Sequence, residues 1–410
     1  MGNGHLNIRR LHAQMILGVC LAALIGGCSQ PPKEPSKAAT FELVPREKLP
    51  GFEDDLDPRS LRTAVEQSLH FFDRIPADQT FSLGETQLSA EVLKASLLTF
   101  LELLDANRLS SESVARAFDV YRVSSGKPAE QSLVTGYYEP VVAGRLERDN
   151  DFRYPLYSVP HDLLTVELAS FDPVRFPGER LTGRLQGNRV VPYFTRAEID
   201  GEKKLEPYGG QLAWLNDPVD AFFLHVQGSG IIQLADGRFL RIGYAGANGR
   251  PYRSIGKVLS DWGVISREEM SLQAIRRYLK DHPEKQHEVM WHNESYVFFR
   301  WVEKGPLGSL NVPLTAGRSI ATDPRYFPRG ALAYLETKKP RTDANGQITD
   351  GEPLRRWVLN QDTGGAIKGP GRVDLFWGTG DEAEEQAGHM KQPGKLYLLI
   401  KKGESLNHPK

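Results

Sequence analysis

The sequence predicts a mainly β protein with some α (α+β). Three observations carry this. Glycine and proline are abundant, 39 and 27 in 410 residues, and they cut the chain into short runs. Helical periodicity is confined to an early segment and to one central interlude. Elsewhere, β-like runs alternate with Gly, Pro, Asn and Asp.

The N-terminus comes first. Met1 to Gln14 is polar and carries Arg9 and Arg10, and Met15 to Gly27 is apolar but too short to span a bilayer comfortably. This is the layout of a secretory signal, so residues 1–27 read as a signal peptide. The run Leu24-Ile25-Gly26-Gly27-Cys28 resembles the bacterial lipobox, whose cysteine becomes the lipidated N-terminus. Ser29 stands where an inner-membrane retention signal has Asp, so the resemblance implies a lipid anchor in the outer membrane, facing the periplasm. Cys20 would leave with the signal, and Cys28 alone supports no disulfide framework. Residues 28–41, with Pro31, Pro32 and Pro35, read as a tether with about 20 Å of reach.

Helical spacing follows. Leu61, Val65, Leu69 and Phe72 predict a helix ended by Pro76, and Leu93, Leu97, Phe100 and Leu104 a second behind Ser89. Ser111 with Val114, Phe118 and Tyr121 predicts a third. Residues 42–131 are thus the helical part of a first domain. Short β-like runs begin at Ser132 and mark an inserted β-rich domain over 132–250. A helical interlude over 254–279, with a capping box at Ser266 and Glu269, lies in the connection 251–310. Strand-like runs return at 296–302, 331–335, 356–359, 373–377 and 396–401, and residues 311–402 rejoin the first domain. That domain is therefore built from both ends of the chain.

Composition and motifs exclude several chemistries. With 51 basic against 52 acidic residues, no global field favours nucleic acid. The ten histidines are scattered, no metal-binding motif is present, and nucleotide and dinucleotide fingerprints are absent, so neither metal nor organic cofactor is expected. Asp362-Thr363-Gly364 has the form of an aspartic-protease loop. A protease dyad needs two such carboxylates, however, and no second copy exists. Three turns suit a sugar instead: Thr135 to Pro140, Pro192 to Arg196, and His225 to Gly230. Ring faces there can stack on sugar C–H groups while polar neighbours take hydroxyls. Composition alone leaves open that Tyr137, Tyr138 and Phe194 are core aromatics and that Glu139, beside Pro140, is a turn residue.

Four stretches, in a consistent order, resemble the membrane-bound lytic murein transglycosylase A family: Tyr137-Tyr138-Glu139-Pro140, Gln227-Gly228-Ser229-Gly230, the run from Arg241 to Tyr252, and the run from Gln361 to Gly369. The likeness extends from about residue 40 to 400. It implies a six-stranded double-psi β-barrel, a second β-barrel inserted in it as a glycan-binding domain, and a groove between them. The C-terminal 3D domain is named for three aspartates, which fall here on Asp323, Asp362 and Asp374. The catalytic acid corresponds to Asp374, with Asp362 and Asp323 supporting or orienting it. Substrate contact is expected from Tyr137, Tyr138, Glu139, Tyr193 and Thr195. Gln227, Gly228, Ser229 and Gly230 join them from the insert, and Thr363, Gly364 and Lys368 from the C-terminal loop.

The implied activity is cleavage of the β-1,4 bond between N-acetylmuramic acid and N-acetylglucosamine in peptidoglycan, leaving 1,6-anhydro ends. The implied partner is the glycan strand. A monomer is expected, open to cell-wall synthesis or hydrolysis complexes. Ordinary glycosidases need two carboxylates. Attack by the muramic acid's own C6 hydroxyl needs only one, because tethering contributes on the order of 7–11 kcal/mol. Asp374 must then start protonated, with its pKa raised by Val373, Leu375, Phe376 and Trp377 or by the like charge of Asp362. The residues by themselves leave two rivals open. One is a hydrolytic glycosidase, with Glu139, Asp323 or Asp362 as second carboxylate, and the other a non-catalytic, expansin-like glycan binder.

Overall fold

The computed structural model describes residues 40–124, 131–176, 178–342 and 348–403. The signal segment, Cys28 and the tether before residue 40 lie outside them. The described chain is a mixed α/β structure, mainly β.

The largest sheet unites both ends of the chain. Its strands run in the order Thr40–Leu43, Phe118–Ser124, Lys391–Lys401, Leu332–Thr342, Ile348–Asp362, Ser319–Ala321, Arg372–Thr379 and Ser132–Glu139. Ser132–Glu139 also pairs with Lys391–Lys401, so six of these strands form a hydrogen-bonded ring. Two neighbouring pairs are parallel, Ser319–Ala321 with Ile348–Asp362 and Arg372–Thr379 with Ser132–Glu139. The rest of the ring is antiparallel.

The core of this unit gathers around Trp357. Phe52 stacks on its ring at 5.1 Å, Phe100 tilts against it at 4.8 Å, and Tyr334 meets it edge-on at 5.0 Å. The two predicted N-terminal helices cover the sheet. Pro58–Phe72 starts behind Asp57, whose carboxylate accepts the Arg59 N–H, and Ala90–Asp105 starts behind Ser89, whose hydroxyl accepts the Val92 N–H. Their apolar stripes bury Leu61, Val65, Leu93, Leu97 and Phe100.

The third predicted helix is shorter than its spacing suggests. Ser111–Ala117 is helical, but Phe118–Ser124 is a strand carrying the Phe118 and Tyr121 assigned to the helix. Phe118, Val120 and Val123 are buried, and strand partners on both sides override the local helical spacing. The central interlude splits into Ile255–Asp261 and Leu272–Asp281. The Glu269 N–H donates to the Ser266 hydroxyl, which itself donates to the Glu269 carboxylate; this is half of the predicted capping box, and it closes only an isolated turn.

The insert has its own six-stranded sheet, ordered Val297–Val302, Phe239–Ala247, Ser229–Gln233, Val141–Arg145, Gln211–Leu215 and Tyr154–Tyr157. Its edge strand Val297–Val302 comes from the segment expected to be the return to the first domain. The helix Pro218–Gln227 packs on this sheet and is absent from the sequence reading, although Asp217-Pro218 is a cap signal in hindsight.

Candidate active site

Strand register assembles the site. Asp362 pairs with Ala321, Ala321 with Asp374, and Asp374 with Thr135, so four neighbouring strands set these residues in one row. The Thr135 hydroxyl donates to Asp374 Oδ1 at 2.6 Å, while Arg372 Nη2 lies 3.4 Å from the same hydroxyl. Two residues along the Thr135 strand, and so on the same face, Tyr137 donates its hydroxyl to Asp362 Oδ2 at 3.0 Å. Its ring packs on Phe376 at 5.2 Å.

Gly136, between them, is required by close approach. A Cβ there would lie 2.7 Å from the Trp377 ring and 2.8 Å from the Ala387 backbone.

The three aspartates differ in electrostatics. Burial pushes the Asp374 carboxyl up to about 6; the charge of Asp362 adds to this, while the Thr135 hydrogen bond and the Arg372 charge oppose it. Burial likewise pushes Asp362 up to about 6, against hydrogen bonds from the Thr363 and Ser309 N–H groups and from Tyr137. Asp323 goes the other way. Burial alone would raise it, but hydrogen bonds from the Arg325 side chain and from the Gly369 and Arg325 N–H groups more than offset this and hold it below the usual carboxylate range. Asp323 is 1% exposed and ties the 363–371 loop to the sheet through Gly369 at 2.7 Å.

Asn360 and Gln361, just before Asp362, are also buried and fully engaged. Asn360 bonds Thr322 and the Pro328 carbonyl, and Gln361 bonds Ser319, Ser68 and the Ala64 carbonyl. These contacts fix the strand end that presents Asp362.

Other residues singled out from the sequence are placed differently. Glu139 is 0% exposed and forms a fork with Arg241, Nε to Oε1 at 2.7 Å, and accepts from the Thr379 hydroxyl at 2.8 Å. It is a buried ion pair at the crossing into the insert, with no face for a sugar. Tyr193 is also fully buried, its hydroxyl donating to Asp162 at 2.7 Å, and Tyr138 packs against Ala383 and Ala387. The Thr195 hydroxyl and N–H both bond Glu198, which closes a local turn. Gln227 accepts the Tyr138 N–H at 3.2 Å. Gly228, at φ +79°, caps the Pro218–Gln227 helix in the left-handed region. Ser229 and Gly230 continue into a strand, with Gly230 against Leu224. Thr363 and Gly364 are half-buried in the loop after Asp362, and Lys368 is exposed there.

Three residues near Asp374 are not among the site residues singled out from the sequence: Thr135, Arg372 and Tyr252. Thr135 opens the aromatic stretch expected to be a turn, which is instead the strand Ser132–Glu139, and its pairing with Asp374 spans 239 residues of chain. Tyr252 closes the run from Arg241 and lies beside the loop after Asp362, where a Cβ on Gly365 would be 3.8 Å from its own Cβ. Burial, then the charge of Asp374, raises the Tyr252 pKa. Among the described residues, no group of three or more His, Cys, Asp or Glu side chains is arranged to hold a metal ion.

Comparison with known proteins adds to this geometry. Residues 133–300 match the model of the MltA specific insert domain, and 318–400 that of the 3D domain. The chain is 37% identical over 268 residues to membrane-bound lytic murein transglycosylase A of Escherichia coli K12, covering 65% of this chain and 64% of that protein. Against the Vibrio cholerae protein of the same name it is 33% identical over 281 residues, 68% of each. Among solved structures, a membrane-bound lytic murein transglycosylase from Agrobacterium tumefaciens is similar at TM-score 0.74 and 32% identity, over 88% of this chain and 98% of that one. E. coli MltA with bound chitohexaose is similar at TM-score 0.67 and 28% identity, over 90% and 97%.

Proposed function

The chain belongs to the membrane-bound lytic murein transglycosylase A family, and from that premise we propose that it cleaves peptidoglycan between N-acetylmuramic acid and N-acetylglucosamine, leaving 1,6-anhydro ends. The observation that carries this reading is the pairing of Asp374 and Thr135, a half-buried carboxyl held near neutrality beside one hydroxyl. With its pKa at about 6, Asp374 can hold a proton and give it to the glycosidic oxygen. Thr135 occupies Oδ1 and fixes the carboxyl's orientation. The resulting carboxylate then takes the proton of the C6 hydroxyl as that oxygen closes on C1. Asp362, held by two N–H groups and Tyr137, orients the site and raises Asp374 by its charge; Asp323 anchors the loop. Tyr137, Tyr252, Gln227 and the Thr363-Gly364 turn border the sugar.

In this reading the ring of six strands is the double-psi barrel, and residues 311–402 supply its 3D half. The insert is the second barrel, supported by a bridge between Ser158 and Phe299 that joins the two edges of its sheet. Among the described residues no helix is long and apolar enough to cross a membrane. Anchoring at the outer membrane is assigned to lipid on Cys28, and Cys28→Ala should leave the precursor unlipidated and out of the outer membrane; normal outer-membrane fractionation of that variant would argue against it. The protein acts as a monomer on glycan strands, without metal or organic cofactor.

Mass spectrometry of digested sacculi tests the activity. Anhydro-muropeptides are expected, and they should vanish with Asp374→Asn while glycan binding persists. Reducing ends carrying added water would establish a hydrolase instead, and an absence of products a binding protein.

A further inference from the structure

A cavity of about 500 Å³ opens against Thr135 and Gly136, walled by the helices Pro218–Gln227, Ile255–Asp261, Leu272–Asp281 and Asp381–His389. This volume lies within the range of pockets that enclose most of a small ligand. Its wall is largely apolar, with Val226, Met270, Leu272, Ile275 and Met390 contributing side chains. Val226 is 36% exposed, so part of this apolar surface faces water in the free protein.

The charges at its rim do not balance. Lys257 is spent on Asp261, four residues along its helix. Arg267 and Lys391 have no carboxylate partner among the described residues, and they sit together, Lys391 Nζ donating to the Arg267 carbonyl at 3.0 Å. A neutral acetylated glycan presents no anion to such a pair. The cavity instead matches a ligand with small apolar groups and free carboxylates.

Register ties the cavity to the reacting carboxyl. Lys391 pairs with Thr135, and Thr135 with Asp374, so the Lys391 backbone lies about two strand spacings, roughly 10 Å, from that of Asp374. An extended peptide covers that distance in about three residues. Murein carries such a peptide on the lactyl group of its muramic acid. We infer that this cavity receives the peptide stem of the muramic acid being cleaved, an inference that rests on the function proposed above. Its methyl and methylene groups lie against Val226, Leu272 and Ile275, and its carboxylates against Arg267 and Lys391.

Two measurements on the full chain test this. Calorimetry with free tetrapeptide stem should show binding that weakens with salt, falls about tenfold in Arg267→Glu, and is retained in Arg267→Lys. Arg267 lies on an exposed turn, so these variants keep the fold. The second measurement is the ratio of kcat/KM on stem-bearing strands to kcat/KM on strands stripped of stems, which should drop about tenfold in Arg267→Glu. No peptide binding to the wild type, equal binding to Arg267→Glu, or an unchanged ratio would overturn the inference. Should neither kind of strand be turned over, the functional reading fails, and the peptide titration alone decides the site.

Discussion

Replacing Asp374 by Asn should stabilise the protein at neutral pH. The carboxyl is ordinarily near 3.8 and stands at about 6 in the fold. A difference of about two in pKa corresponds to roughly 3 kcal/mol between protonation states. The native state binds this proton more tightly than the unfolded chain, so the associated stability is fully present below 3.8 and lost as pH rises through about 6. At pH 7.5 the wild type therefore carries an ionised carboxylate that its surroundings disfavour. The amide introduced by Asp374→Asn would carry no charge, could still accept from Thr135, and would relieve Asp362 of a like charge. Urea denaturation should show Asp374→Asn more stable by up to about 3 kcal/mol at pH 7.5 and level with the wild type near pH 3.5. A variant no more stable at pH 7.5, or one whose advantage persists at pH 3.5, would refute the assignment of burial as the cause. The same variant should be inactive, so the predicted gain in stability comes with the loss of function.

Other expectations follow from the same geometry. Activity on isolated strands should fall about tenfold per pH unit above about 6, as Asp374 loses its starting proton; a rate rising from pH 6 to 8 would contradict its role as the acid. Thr135→Val removes the hydrogen bond that lowers Asp374, so the alkaline limb of the pH profile should move upward while kcat falls. Arg241→Met leaves the wholly buried Glu139 without its cation and should cost about 3–5 kcal/mol in urea denaturation; a loss under about 1 kcal/mol would show that Thr379 suffices. Asp323→Asn weakens the tie to Gly369, so the Gly369 amide should exchange hydrogen faster with solvent.

Patterns carried by nearby residues were legible without coordinates. The helices after Asp57 and Ser89 and the strand around Asp374 depend on spacing and caps within a few turns, and sequence reports such interactions directly. The two-ended sheet was also visible in outline. Phe118 shows the limit, since its helical spacing is genuine but strand partners from distant segments override it. The helix Pro218–Gln227 hid within a run of β-like neighbours.

For the site, the identity of its residues and their placement separate cleanly. By itself the sequence determined where the three aspartates stand, the absence of a second protease-type loop and the family motifs, because these are matters of residue type and order. Only the tertiary structure decided which of those residues share a row, since Asp362, Asp374 and Thr135 meet through register between strands far apart in the chain. It also decided which polar residues face inward. Glu139 and Tyr193 sit in motifs that suit a sugar, yet both are buried against partners of their own, Arg241 and Asp162. Burial and pKa depend on every element packed around a group, and that sum is not written in any one stretch of the chain.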